Sequence, residues 1–181
     1  RFLMLQTIRQ YALELLVNDS KQAEVRERHA LHFVELAEKW ADDDDASAIE
    51  IEHDNLRAAL EWLLDAAAAD SQTYGVPTLR LARALGRHWY THGHAIQGSE
   101  WLERALETAT NAPEELRAQA LRMLGVLMDQ RQNNARAREL FEEALAYFRR
   151  TGNRLELVKC LNGLGLVARN NRRFDEARAM L

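Results

Sequence analysis

The chain contains six histidines, and three of them lie close together at His88, His92 and His94. His88 and His92 are one turn of a helix apart, so their imidazoles could share a metal ion. The segment lacks the carboxylate of a His-Glu-x-x-His motif, and its neighbours Trp89 and Tyr90 favour a packed helix end. We therefore predict no metal site and no cofactor here.

A second pair that could do chemistry is His53 with Asp54. A histidine oriented by an aspartate can act as a base, but adjacent residues of a helix point in different directions. No serine or cysteine nucleophile accompanies the pair in a recognisable arrangement. The pattern favours an ion pair or a contact at a helix start, and we predict no enzymatic activity for the chain.

Four consecutive aspartates occupy positions 42–45. A calcium-binding loop would need alternating ligands, a central glycine and a terminal glutamate, which this run lacks. Four negative charges also oppose the dipole at the C-terminal end of a helix. We expect a solvated loop that ends the preceding helix.

The strongest pattern in the chain is a repeat built on three glycines. Gly86, Gly125 and Gly165 are separated by 39 and 40 residues, and each follows a leucine. A period of this size is typical of stacked helical units, in which small residues let the two helices of a unit approach and large ones fill the seam between units. The recurring small and large residues are Gly98, Ala137 and Ala177, and Leu102, Phe141 and Leu181.

Composition and periodicity predict an all-α protein. Hydrophobic residues make up 47% of the chain, prolines number only 2, and long alternating apolar runs typical of strands are absent. Cys160, the only cysteine, excludes an internal disulfide and is expected to be a buried, reduced thiol. No apolar run is long enough to span a membrane, so we expect a cytoplasmic protein. Helices are predicted at about 2–18, from an N-cap at Ser20 to about 41, and at 47–69, 77–92, 95–110, 114–132, 135–151, 154–171 and 173–181.

A break at residues 71–77 divides the predicted domains. Gly75 suits a turn and Pro77 suits the first turn of a helix. The charge also reverses here, since residues 1–76 carry a net −9 and residues 77–181 a net +5. We therefore predict an acidic three-helix coupling segment at 1–76 and a repeat array at 77–181. The array would be an α-solenoid of antiparallel helix pairs, with units at about 77–113, 114–153 and 154–181 and with Gly93 and Gly152 ending helices.

The spacing within the units resembles the tetratricopeptide repeat, although the period exceeds the usual length of about 34 residues. Around Gly125 the matching large and small residues are Leu121, Leu124, Ala137, Phe141 and Ala144; around Gly165 they are Leu161, Leu164, Phe174, Ala177 and Leu181.

Two segments, at 1–12 (RFLMLQTIRQYA) and 52–62 (EHDNLRAALEW), resemble a region of large bacterial regulators. These are STAND-class ATPases, including LuxR-type and antibiotic-regulator-type transcription factors, and this region follows their nucleotide-binding and winged-helix modules. The resemblance implies that the chain is a fragment of a protein that couples an ATPase switch to a helical sensor arm. The chain itself contains no Gly-x-x-x-x-Gly-Lys-Ser/Thr phosphate-binding loop.

In tetratricopeptide repeats the first helix of each unit lines a concave groove, which implies a partner-binding face here. We expect a peptide or protein partner, acidic in character because cations predominate among the exposed positions. A solvated basic face, balanced by the acidic N-terminal segment, is the alternative. The candidate residues are Arg80, Arg83, Arg87 and Tyr90 in the first unit, Gln119, Arg122 and Asp129 in the second, and Lys159, Asn162 and Arg169 in the third, with Val126 and Leu166 beside them.

Three functions stay open at this stage. The chain could be the interaction and sensor module of a transcriptional regulator, in contact with the parent protein's ATPase and output domains. It could instead be a structural scaffold that forms homo-oligomers, or a free-standing adaptor. Direct nucleic-acid binding is disfavoured, because the pI is about 5.9 and no helix-turn-helix or zinc-finger pattern is present.

Overall fold

A computed structural model describes Tyr11, residues 20–43 and residues 45–171 of the chain. The predicted helices at 2–18 and 173–181 lie outside the described residues, apart from Tyr11. The described part contains α-helices and no strands, which confirms the all-α prediction. Its helices are α1 (Gln22–Asp42), α2 (Ala46–Ile51), α3 (His53–Ala69), α4 (Ser71–Thr91), α5 (Ala95–Thr108), α6 (Glu114–Gln130), α7 (Asn134–Thr151) and α8 (Arg154–Asn170).

The helices stack in a solenoid-like order. Helix α4 packs against its pair partner α5 and against α6, and α6 in turn packs against its partner α7 and against α8. Helices α1 and α3 repeat this arrangement one step earlier, because α1 packs against both α3 and α4. We call α1, α4, α6 and α8 the A helices, and α3, α5 and α7 the B helices. Short connections at 70, 92–94, 131–133 and 152–153 keep neighbouring helices antiparallel.

The helix ends are determined mainly by short-range interactions. Gly93 and Gly152 have positive φ angles of 78° and 72°, which confirms that they end helices α4 and α7. At four helix starts, those of α2, α4, α7 and α8, an asparagine or aspartate side chain accepts a hydrogen bond from a backbone N–H group. The predicted cap at Ser20 is wrong, because Lys21 occupies the N-cap of α1 and makes no side-chain cap bond.

The predicted break at 71–77 is also wrong. The side chain of Asp70 caps α4 by accepting a hydrogen bond from Thr73 N–H. The helix continues through Pro77, which has no backbone N–H and so removes only one hydrogen-bond donor. Gly75 serves a close approach and not a turn: a Cβ there would lie 2.8 Å from the carbonyl oxygen of Thr108 at the end of α5. The hydrophobic core continues from α3 into α4. The division into a coupling segment at 1–76 and a repeat array at 77–181 stays a prediction.

The helix predicted at 47–69 is two helices, separated at Glu52. The residue types show no break at this position. Helix α2 packs against α1 and α4, and α3 packs against α1, α4 and α5.

Large residues fill the core where glycines leave room. A Cβ on Gly98 would lie 2.6 Å from atoms of the Trp89 ring. The two helices of this unit therefore approach closely, as predicted. Phe141 fills the seam between units, against Gly125 of α6 and Gly163 of α8. The role predicted for Gly86 is wrong, since Gly86 faces Met123 of the next unit.

The core also holds the tryptophans and, as predicted, the cysteine. Trp89 and Trp101 are buried, and Trp40 and Trp62 pack at the edge of the core. Cys160 is buried, and this burial raises the pKa of its thiol to about 11. Among the helices that the structure describes, none has both the length and the apolar character needed to cross a bilayer.

Replacing Gly75 by alanine tests the close approach of α4 to α5. At an exposed helical site this change would stabilise the protein by about 1 kcal/mol, because alanine has the higher helix propensity. Here the added Cβ meets backbone atoms of Thr108 and Ala109, so we expect the free energy of unfolding to fall by about 1–3 kcal/mol. Urea denaturation measures this free energy.

The control for this substitution is Ala58→Gly at an exposed position of α3. It should cost about 1 kcal/mol and so calibrates the propensity term. A gain in stability for Gly75→Ala of similar size would contradict the close approach.

Candidate partner-binding face and histidine cluster

The ten residues predicted to bind a partner lie on three consecutive A helices, α4, α6 and α8. We call them, with Val126 and Leu166, the helix-A face. Because α4 contacts α6 and α6 contacts α8, the structure brings the three sets side by side. Their predicted role as a binding surface stays a prediction.

Glu38 of α1 neutralises two cations of this face. Arg80 donates through Nε to both carboxylate oxygens of Glu38 at 3.1 Å, and Arg83 Nη2 lies 3.6 Å from Oε1. All three side chains are partly shielded from solvent. The ion pairs therefore tie the first A helix to the second.

Glu156 of α8 neutralises two further cations of the helix-A face. It accepts from Arg122 Nε at 2.7 Å and from Lys159 Nζ at 2.7 Å, and it is only 8% exposed. Burial by itself would raise the pKa of Glu156, but the Lys159 hydrogen bond and the Arg122 charge outweigh it and hold this pKa below its usual value. The carboxylate thus ties α6 to α8.

These two glutamates change the electrostatic character of the helix-A face. At least four of its six cations lie in ion pairs within the chain, so the face is less basic than the sequence predicts. Sequence reasoning missed Glu38 because it was assigned to a separate acidic segment. The pairing of Glu156 with Lys159 could have been found from the sequence, since the two residues are three positions apart on one helix.

The rest of the face mixes exposed apolar and polar groups. Tyr90 is 46% exposed and Leu166 is 42% exposed. Asp129 accepts a hydrogen bond from Asn170 Nδ2 at 3.0 Å. The remaining members are Arg87, Asn162 and Arg169, which are exposed, and Gln119 and Val126, which are half-buried.

The structure extends the predicted histidine pair into a cluster. The rings of His88 and His92 are stacked with centroids 4.2 Å apart, and the rings of His53 and His94 lie 5.4 and 6.2 Å from His88. Glu50 of α2 joins them, because its Oε2 is 3.5 Å from His92 Nε2 and 3.8 Å from His88 Nε2. The break between α2 and α3 places both Glu50 and His53 here.

His88 is the buried centre of this cluster. It is 4% exposed, and both of its ring nitrogens lack a hydrogen-bonding partner among the described residues. Burial lowers the pKa of His88 to about 4, and the charges of His92 and His53 act in the same direction. The imidazole is therefore uncharged at neutral pH.

The pair His53–Asp54 forms the contact expected of it. His53 begins α3, and its Nδ1 lies 3.9 Å from Asp54 Oδ1. This confirms the interpretation as a local contact at a helix start.

Comparison with known proteins shows similarity to bacterial regulators. The chain is 34% identical over 113 residues to proteins of Mycobacterium bovis and Mycobacterium tuberculosis that are each named "Putative HTH-type transcriptional regulator". The match covers 59% of this chain and 12% of those proteins, so the chain corresponds to a small part of their length. No protein-family model matches the chain.

Replacing Glu156 by glutamine tests its bridging role. Arg122 would keep a partly buried charge without its counter-ion, so we expect the free energy of unfolding at pH 7 to fall by about 2–4 kcal/mol. Because the carboxyl pKa is depressed in the folded state, this contribution is present above the unfolded value of 4.5 and is lost as the pH falls through the folded pKa. Thermal denaturation across this pH range measures both effects.

Glu139→Gln is the matched control, because Glu139 lies in an exposed ion pair on α7. Its effect should stay within about 0.5 kcal/mol. Equal effects of the two substitutions at pH 7 would show that Glu156 is not a bridge.

Proposed function

We propose that the chain is the protein-interaction and sensor module of a bacterial transcriptional regulator. One observation carries the proposal: the 34% identity over 113 residues with HTH-type transcriptional regulators. The matched segment is a small part of those proteins, in keeping with an accessory module.

The packing of the A helices supports this role. Stacked helix pairs present long continuous surfaces, which suit recognition of a polypeptide better than enclosure of a small substrate. On the helix-A face, Tyr90 and Leu166 offer apolar contacts, and Arg87 and Arg169 offer charges. We propose that this face binds a protein or peptide that has apolar anchors beside acidic groups.

The finer proposal follows the resemblance. The units are tetratricopeptide-like, and the parent protein is a cytoplasmic STAND-class ATPase of the LuxR or antibiotic-regulator type. A ligand bound to the array, a peptide, a protein or an inducer, would change its contacts with the ATPase and output domains. The module itself would have no enzymatic activity, use no cofactor and bind no nucleic acid directly.

Transcript profiling tests the regulatory role in the organism that carries the gene. Deletion of the gene should change a defined set of transcripts, and the wild-type full-length gene should restore them. The variant Arg87→Glu with Arg169→Glu should be expressed normally but restore less than half of the change, because it reverses both charges of the proposed contact.

The matched control reverses two exposed arginines on the B helices, Arg104→Glu with Arg149→Glu. This variant should restore the transcripts fully. Unchanged transcripts in the deletion strain would refute the regulatory role. Full restoration by the helix-A variant would refute only the assignment of the face.

A second candidate function is self-association, favoured by apolar exposure on α8. Leu155 is 65% exposed and Val158 is 51% exposed, and the two are three residues apart on one helix face. If this face joins two copies, sedimentation should show a dimer that Leu155→Glu with Val158→Glu converts to a monomer. A wild-type chain that stays monomeric at high concentration would exclude the scaffold.

A further inference from the structure

We propose that Glu50, His88 and His92 bind one divalent transition-metal ion of the zinc class. This site is independent of the proposed regulatory function. Nothing in the sequence similarity assigns it, and it departs from the sequence-based prediction that no metal binds here.

The donor set suits such an ion. Imidazole nitrogen and carboxylate oxygen are both common ligands of zinc, at about 2.0–2.2 Å from the ion. Tetrahedral ligands at that distance are about 3.4 Å apart. The two separations from Glu50 Oε2, 3.5 Å to His92 Nε2 and 3.8 Å to His88 Nε2, need only a small closure, and the three ligand atoms all lie within 4.8 Å of one another.

The contacts of His92 favour the tautomer that a ligand needs. Its Nδ1 lies 3.0 Å from the backbone carbonyl oxygen of His88, which can only accept, and 3.0 Å from Thr91 Oγ1. Because the Thr91 hydroxyl donates to the carbonyl oxygens of Arg87 and His88, a proton on Nδ1 of His92 suits both contacts. In the neutral ring this tautomer leaves the lone pair on Nε2, the nitrogen that lies 3.5 Å from Glu50 Oε2. A backbone carbonyl that fixes the far nitrogen is the usual support of a metal-bound histidine.

His88 supplies the second, independent observation. Its two ring nitrogens are buried without a hydrogen-bonding partner in the described part of the chain, and a buried unsatisfied polar atom is costly. A metal ion on Nε2 would satisfy one of them. An ion pair between Glu50 and protonated His92, the competing explanation, would leave both nitrogens of His88 unsatisfied.

The ligands come from separate elements, so an ion would act as a cross-link. Glu50 belongs to α2, whereas His88 and His92 lie at the C-terminal end of α4. His53 and His94 form an overlapping triad with His88 whose ligand atoms also lie within 4.8 Å of one another. A bound ion would therefore hold the short helix α2 against the α4–α5 connection.

Metal titration tests the site on the full 181-residue chain after removal of metals with a chelator. Calorimetry with ZnCl₂ should show one ion per chain at micromolar or tighter affinity, and CoCl₂ should give the visible absorption of a low-symmetry nitrogen and oxygen site. The thermal midpoint should rise with added Zn²⁺. His92→Gln and Glu50→Gln, at residues that are exposed and so replaceable without loss of the fold, should each weaken binding at least tenfold.

His32→Gln is the matched control, because His32 is an exposed histidine of α1 outside the cluster. It should bind Zn²⁺ with wild-type affinity, and circular dichroism should show that every variant is folded. The proposal is overturned if the wild-type chain shows no saturable binding up to ~100 µM Zn²⁺, which corresponds to an affinity too weak for a built site. It is also overturned if His92→Gln and Glu50→Gln bind as tightly as the wild type.

Discussion

Helix α4 lies so close to the end of α5 that a Cβ at Gly75 would be 2.8 Å from the carbonyl oxygen of Thr108, so this contact requires glycine. Most other features of the described structure depend on this placement. The same helix packs against α1, α2, α3 and α6, so its position sets where the neighbouring A and B helices can lie. Along its length it carries first the Gly75 contact, then the arginines that meet Glu38, and finally the histidines that meet Glu50.

The two glutamate bridges follow a common plan. In each, cations and a carboxylate on adjacent A helices meet at a partly buried position, first between α1 and α4 and then between α6 and α8. Such pairs add little net stability over an apolar contact, but an unmatched partner is costly, so they select one relative position of the helices. Residues that resembled a basic groove in sequence thus also have a structural role between units.

The C-terminal end of α4 combines two chemically different surfaces. Arg87 and Tyr90 belong to the helix-A face, whereas His88 and His92 point to α2. Alternation of this kind follows from the helical period, since adjacent residues point in different directions. An ion that held His88 and His92 would also fix the helical turn that displays Arg87 and Tyr90.

The sequence by itself determined the features that depend on local chemistry. Helical composition predicted the all-α class, and Gly93 and Gly152 marked helix ends because positive φ angles are a property of the residue. The same local signals misled at 71–77, where Gly75 and Pro77 suggested a turn. Only the tertiary structure showed that Gly75 allows the close approach of α4 to α5, and that the helix continues through Pro77. Only the tertiary structure, likewise, joined Glu38 to Arg80 and Glu50 to His88, across 42 and 38 positions of the chain. Such pairings depend on how helices stack, and the energy that decides the stacking is spread over the whole core and is not encoded in any short segment.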